Sequence, residues 1–154
     1  MKQTLYWELD LDGKLDTPIS KIMVPNKKMI VTYNQFINEN ITEKRFVINE
    51  NKFQLFLGDI LVSETGFNME QPDEWFNEKY VTLYDLKTFE DFKGKGFAKY
   101  LLEQIFNYVK NELKINIITL IVYKDNNKAV GLYFKSGFEI YMEYDDSYSL
   151  IKRL

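Results

Sequence analysis

Apolar residues at Leu101, Leu102, Ile105, Phe106, Val109 and Leu113 recur three and four apart, which predicts a helix over 96–113 with one buried face. Ahead of it, Val81–Phe89 is rich in β-branched and aromatic residues and predicts a strand over 80–89. Gly94 and Gly96 stand between the two. Downstream, the apolar run Ile117–Tyr123 predicts a strand over 115–124, followed by a short helix over 127–136 and strands over 138–144 and 147–153. Upstream, Lys52–Leu57 and Ile60–Glu64 alternate around Gly58-Asp59 and predict a hairpin. Near the N-terminus, Thr4–Leu9, Ile22–Val24 and Met29–Tyr33 read as short strands, with a turn at Asp12-Gly13 and a faint helical pattern over 33–40. Glu64–Glu78, with five carboxylates among Phe67, Trp75 and Phe76, reads as a loop. It serves either as a solvated loop with aromatic anchors or as a clamp for a cationic amine. Glu143, Asp145 and Asp146, at the turn between the last two strands, would supply the opposite wall.

A strand, a glycine turn and a helix in that order make an anion site. The first helical turn has backbone N–H groups without intrahelical acceptors, and glycines let an anion approach the main chain closely. Two familiar phosphate motifs are excluded. The dinucleotide fingerprint would need glycine where Lys99 stands, and no Gly-Lys-Ser/Thr string occurs. Alone, the segment reads equally as a glycine turn capping a core helix.

Composition narrows the chemistry. The 154 residues, 45% hydrophobic and 16% aromatic, are expected to form a single domain over 1–154. A net charge of −3 argues against a general nucleic-acid binder. The absence of cysteine excludes disulfides and thiolate nucleophiles, and the absence of histidine excludes imidazole bases and His-ligated metals. No metal is expected. Met1–Asp10 carries Glu8 and Asp10 in an alternating pattern unlike a leader, and no apolar run approaches membrane-spanning length, so no membrane association is expected and the cytoplasm is the expected compartment.

Two segments together resemble the GNAT superfamily of N-acetyltransferases. Lys93-Gly94-Lys95-Gly96-Phe97-Ala98 is similar to its acetyl-CoA loop, with Lys93 where the family usually has Arg or Gln. Asn126, Ala129, Leu132, Tyr133, Lys135, Gly137 and Phe138 match its second signature, a strand followed by Asn, Ala and Leu-Tyr-x-Lys-x-Gly-Phe. The chain's only two alanines, Ala98 and Ala129, both fall where the family wants a small residue. The resemblance covers roughly residues 80–154. It implies an α/β (α+β) fold: a mixed, mostly antiparallel sheet with helices on both faces and a strand-loop-helix acetyl-CoA site. The first half departs from the family pattern, which places two helices after the first strand.

The resemblance also implies roles. Leu86, Lys87 and Thr88 would meet the pantetheine arm through the backbone, Gly94 to Ala98 would hold the pyrophosphate, and Asn126 would contact the arm. Lys93, Lys95, Lys128 and Lys135 are the implied counter-charges; residues 93–135 hold eight lysines against three carboxylates. Tyr133 would protonate or hydrogen-bond the leaving thiolate. No base is assigned: Glu78, Tyr80, Asp85 and an ordered water remain open. The implied function is acetyl transfer from acetyl-CoA to a primary amine, small and cationic or on a protein, by direct attack in a ternary complex. A non-catalytic acyl-CoA-binding module is the alternative, and a toxin acting on charged tRNA is disfavoured by the acidic balance. A homodimer is compatible with the sequence.

Overall fold

Alternation in the second hairpin decides the core. Phe53, Leu55 and Leu57 are fully buried, while Lys52, Gln54 and Phe56 between them are not. The computed structural model describes residues 6–7, 29–30 and 43–154. Tyr6–Trp7 (β1) and Met29–Ile30 (β2) form a short antiparallel ladder. A seven-stranded sheet follows, built from Lys44–Asn49 (β3), Lys52–Leu57 (β4), Ile60–Glu70 (β5), Tyr80–Thr88 (β6), Ile117–Tyr123 (β7), Glu139–Glu143 (β8) and Ser147–Arg153 (β9). Its order is β3-β4-β5-β6-β7-β9-β8, antiparallel throughout except for the parallel β6–β7 pair. That is the mixed, mostly antiparallel sheet expected.

Two α-helices are described, Phe97–Asn111 (α1) and Asn127–Lys135 (α2). The α1 stripe Phe97, Leu101, Leu102, Ile105 and Val109 is buried against Phe53, Leu55, Val62, Val81, Leu83, Ile118 and Leu120 of the sheet. Phe53 stacks on Phe67 across β4 and β5 at 4.0 Å. From α2, Tyr133 joins the same cluster, so both described helices lie on one face of the sheet; the expected helix on the other face is not among the described residues. Burying the α1 stripe, at about 2 kcal/mol per large apolar side chain, outweighs the modest helix propensity of its Phe and Tyr residues. Among the described residues, no helix is long and apolar enough to cross a membrane.

One strand is new and one expectation is corrected. The edge strand β3 was not legible: its ends are exposed and only Phe46 and Val47 are half-buried, so the strand shows no clear alternation. It turns through Glu50-Asn51 directly into β4, with no helix between them. The segment from Glu64 onward is not a loop at its start, because β5 runs on to Glu70. Glu64 is buried within the strand, tied to Lys52 at 3.2 Å, Lys87 at 2.9 Å and Gln54 at 2.9 Å. Its carboxylate is therefore committed to neighbouring strands. The expected strand at 22–24, the turn at Asp12-Gly13 and the helix over 33–40 lie outside the described residues.

Candidate active site

The β6–β7 pair is short. Cα partners run Val81–Ile118, Thr82–Thr119 and Leu83–Leu120, and there the pairing ends. β6 continues to Thr88 against β5 alone, and β7 continues to Tyr123 against β9 alone. The two strands therefore part at their carboxyl ends and leave a wedge between them, the position where ligands reach the main chain in open sheets.

A bulge in β6 re-aims the strand at the wedge. Pairing with β5 shifts between Glu64 and Gly66, so Asp85 and Leu86 oppose Thr65. Asp85 takes a left-handed φ of 53°, and the Thr65 hydroxyl donates to the Tyr84 carbonyl at 2.8 Å. The Tyr84 ring lies against Gly66, and its hydroxyl accepts from Asn51 Nδ2 at 2.8 Å. A Cβ on Gly66 would overlap that ring. Gly66→Ala is expected to cost about 1–3 kcal/mol, the usual penalty of overpacking, in urea unfolding.

Beyond β6 the chain makes a 3-10 turn at Glu90–Phe92 and enters the glycine loop. Gly94 and Gly96 sit at φ 73° and 82°, the left-handed region, and each faces open space where a side chain would begin. Gly96 is the N-cap of α1, with no side chain capping it and no acidic residue in the first turn. The first intrahelical bond runs from Tyr100 N–H to the Gly96 carbonyl at 3.0 Å, so the N–H groups of Ala98 and Lys99 lie ahead of it. This is an uncapped, positively polarised helix end beside the wedge.

The expected cofactor residues separate by location. Leu86, Lys87 and Thr88 lie on β6 beyond the last β6–β7 pair, but the Lys87 ammonium is taken by Glu64, the Lys87 carbonyl accepts from Ser63 at 2.9 Å and the Thr88 hydroxyl lies 3.2 Å from that of Ser63. Lys93 pairs with Glu90 at 2.7 Å, and Lys95 is exposed. The Phe97 side chain belongs to the core. Asn126 caps α2, its Oδ1 accepting from Ala129 N–H at 3.2 Å, so its amide NH₂ is the group left to donate. Lys128 and Lys135, two turns apart on α2, are exposed.

Tyr133 is buried, its ring 5.6 Å from Phe138, and among the described residues its hydroxyl has no hydrogen-bond partner. Burial pushes the phenol up to about 12, so it stays protonated across the working range. Of the open base candidates, Glu78 meets Asn116 at 3.5 Å near the far end of the parallel pair, about 15 Å of strand from Leu83. Tyr80 donates to Asp73 at 2.6 Å; that bond, burial and the charges of Asp73 and Glu70 hold its proton up to about 12. Neither is placed or poised to take a proton at the wedge. Asp85 is exposed at the bulge itself. Among the described residues, no cluster of carboxylates is arranged to hold a metal ion.

On the face away from α1 lies a cavity of about 230 Å³, which sequence reading did not place. Thr82, Thr119 and Ser149 supply hydroxyls, while Trp75, Phe76, Tyr80, Tyr141 and Tyr144 supply rings. Thr82 and Thr119 share a hydrogen bond at 3.0 Å one step before the last β6–β7 pair, so the cavity ends where the strands part.

A sequence model of the acetyltransferase (GNAT) family matches residues 33–138. The chain belongs to that family. Among curated relatives it is similar to the acetyltransferase PseH of Campylobacter jejuni (strain 81-176), 39% identical over 56 residues, which is 36% of each chain. The uncharacterized N-acetyltransferase ycf52 of Gracilaria tenuistipitata var. liui is 28% identical over 129 residues, 84% of this chain and 57% of that one. The match to PseH thus spans only about a third of that relative's length. The crystal structure of C. jejuni PseH in complex with acetyl coenzyme A is similar over 68% of this chain and 70% of that one, with 26% identity and a TM-score of 0.54. For this GNAT chain, the wedge, the glycine loop and the α1 N-terminus meet at one end of the sheet.

Proposed function

We propose that this protein transfers the acetyl group of acetyl-CoA to a primary amine by direct attack. The observation that carries this reading is the parting of β6 and β7 after Leu83 and Leu120 beside the uncapped α1 N-terminus. The unpaired edge of β6 supports an extended pantetheine arm as an added strand would, and the Gly94–Ala98 main chain supports its diphosphate. Lys95, Lys128 and Lys135 add positive charge on that side.

The thioester supplies an activated carbonyl. The amine nitrogen bonds to the carbonyl carbon, the carbon–sulfur bond breaks, and the proton lost by the amine balances the one gained by sulfur. Tyr133 serves as the hydrogen-bond donor to the departing sulfur. A phenol at about 12 holds its proton too tightly to surrender it fully to a thiolate of pKa about 8.5, so the donor acts by stabilising the anion. The attacking amine enters from the cavity on the opposite face.

The test reads thiol release from acetyl-CoA with a panel of primary amines, beside thermal stabilisation by CoA. Binding at a hundred times Kd stabilises by about 2.7 kcal/mol. Stabilisation with no turnover would favour the acyl-CoA-binding module. Gly96→Ala meets no side chain, so its cost is confined to the backbone, about 1–2 kcal/mol for leaving glycine at a left-handed φ. It is expected to weaken CoA stabilisation about tenfold in apparent Kd.

A further inference from the structure

The aromatic wall of the opposite-face cavity is held by one carboxylate. Asp73 Oδ1 accepts the N–H groups of Trp75 at 2.8 Å and Phe76 at 2.9 Å, while Oδ2 accepts the Tyr80 hydroxyl at 2.6 Å. Its own N–H donates to the Phe76 carbonyl at 2.8 Å. These four bonds fix the 73–76 turn against the first residue of β6. The Phe76 ring is then wedged between Tyr80 at 4.8 Å and Tyr141 at 5.3 Å, which ties the turn to β8 as well. Trp75, 54% exposed, and Tyr144, 47% exposed, are left at the rim. A large indole left open to solvent beside a cavity is a contact surface in waiting.

Charge marks what this surface would meet. Residues 70–78 carry Glu70, Asp73, Glu74 and Glu78 with no lysine or arginine, and residues 139–146 carry Glu139, Glu143, Asp145 and Asp146 with none. Lys124 offsets Glu143, at 2.7 Å, and part of the charge of Asp145. The glycine loop has the reverse character, with Lys93, Lys95 and Lys99 and no carboxylate over 93–99. Negative potential and ring faces together favour a cation and disfavour an anion.

We propose that the cavity is an acceptor subsite selecting amines that carry a second, cationic nitrogen on an apolar chain, with Asp73 as the positioning residue of its aromatic wall. The assignment rests on the acetyltransferase reading above. The second nitrogen stays protonated against the Trp75 and Tyr144 rings. The first, reaching toward Thr82 and Thr119, is the one presented at the parting of β6 and β7. Asp73 touches neither; it acts through Trp75, Phe76 and Tyr80.

The experiment compares 1,4-diaminobutane with 4-amino-1-butanol, which offers the same reacting amine and a neutral hydroxyl in place of the second cation. The wild-type protein is expected to favour the diamine at least tenfold in kcat/KM, with the preference shrinking as salt rises. Trp75→Ala is expected to bring that ratio toward one. Asp73→Ala raises KM for the diamine more than it lowers kcat, and Asp73→Asn, which keeps an acceptor for the Trp75 and Phe76 N–H groups, recovers part of the loss. In a Trp7→Phe protein Trp75 is the one remaining indole, and its fluorescence is expected to respond to the diamine and not to the amino alcohol. CoA-dependent thermal stabilisation, retained in every variant, shows that each has folded. Turnover of both amines at equal efficiency would overturn the subsite and leave the acetyltransferase reading standing. Turnover of no amine in the panel would overturn both.

Discussion

Tyr133→Phe is expected to lower kcat about a hundredfold while leaving the KM for acetyl-CoA nearly unchanged. A positioned hydrogen-bond donor to charge developing on a departing group contributes about 10²–10³ in rate. Burial pushes the phenol up to about 12, so it is protonated from pH 6 to 9 and adds no limb to the pH profile there. The variant should therefore be slower by the same factor from pH 6 to 9. Stability separates this role from a structural one. Among the described residues the Tyr133 hydroxyl has no partner, and a buried hydroxyl without one costs about 1–3 kcal/mol. Removing it should leave urea stability unchanged or raised. A variant that unfolds more readily yet turns over at full rate would reverse the assignment.

Where one face of an element is buried and the other wet, the sequence announced the element. The α1 stripe and the apolar run of β7 fell within two residues of the observed ends, and the alternation of β4 fell at them. β9 was read at its observed limits. The glycine loop was legible because left-handed backbone at Gly94 and Gly96 admits few other residues. What failed depended on partners distant in the chain. Glu64 reads as the last residue of a hairpin strand and the first of a loop, since a carboxylate enters a strand interior only with counter-charges, and its lysines come from positions 52 and 87. The bulge at Asp85 left no glycine to mark it, because Thr65 stabilises it from the next strand. Asp73 was counted among five acidic residues with no sign that its oxygens were already occupied. The acid-and-aromatic segment was thus noticed as chemistry before its architecture could be known.

Glu64→Gln is expected to have the largest effect on stability, and the effect should depend on pH. Burial alone would push the Glu64 carboxyl up. Hydrogen bonds from Gln54, Lys87 and Lys52, with the charge of Lys87, overcome this and hold it at about 2 against an ordinary 4.5. A depressed carboxyl stabilises the fold above its unfolded pKa, and the contribution disappears as pH falls toward the folded one. The shift corresponds to about 3 kcal/mol, present in full at pH 7, declining below about pH 5 and absent near pH 2. Glutamine keeps the shape but carries no charge, so the variant should be weaker by about 2–3 kcal/mol at pH 7 and should converge with the wild type in acid. By contrast, the exposed Lys93–Glu90 pair should be worth under about 1 kcal/mol. Urea midpoints from pH 7 down to pH 3 distinguish these cases; two curves that stay parallel would remove Glu64 as the source. The consequence reaches the site because Lys87 lies on β6 just past the bulge, where that strand has left β7 and is held by β5 alone. Glu64→Gln removes the ion pair that fastens this stretch, so its CoA-dependent stabilisation should be reduced already at pH 7, whereas in the wild type the folded carboxyl stays ionised down to about pH 2 and that stabilisation should outlast the loss of fold stability between pH 5 and pH 3.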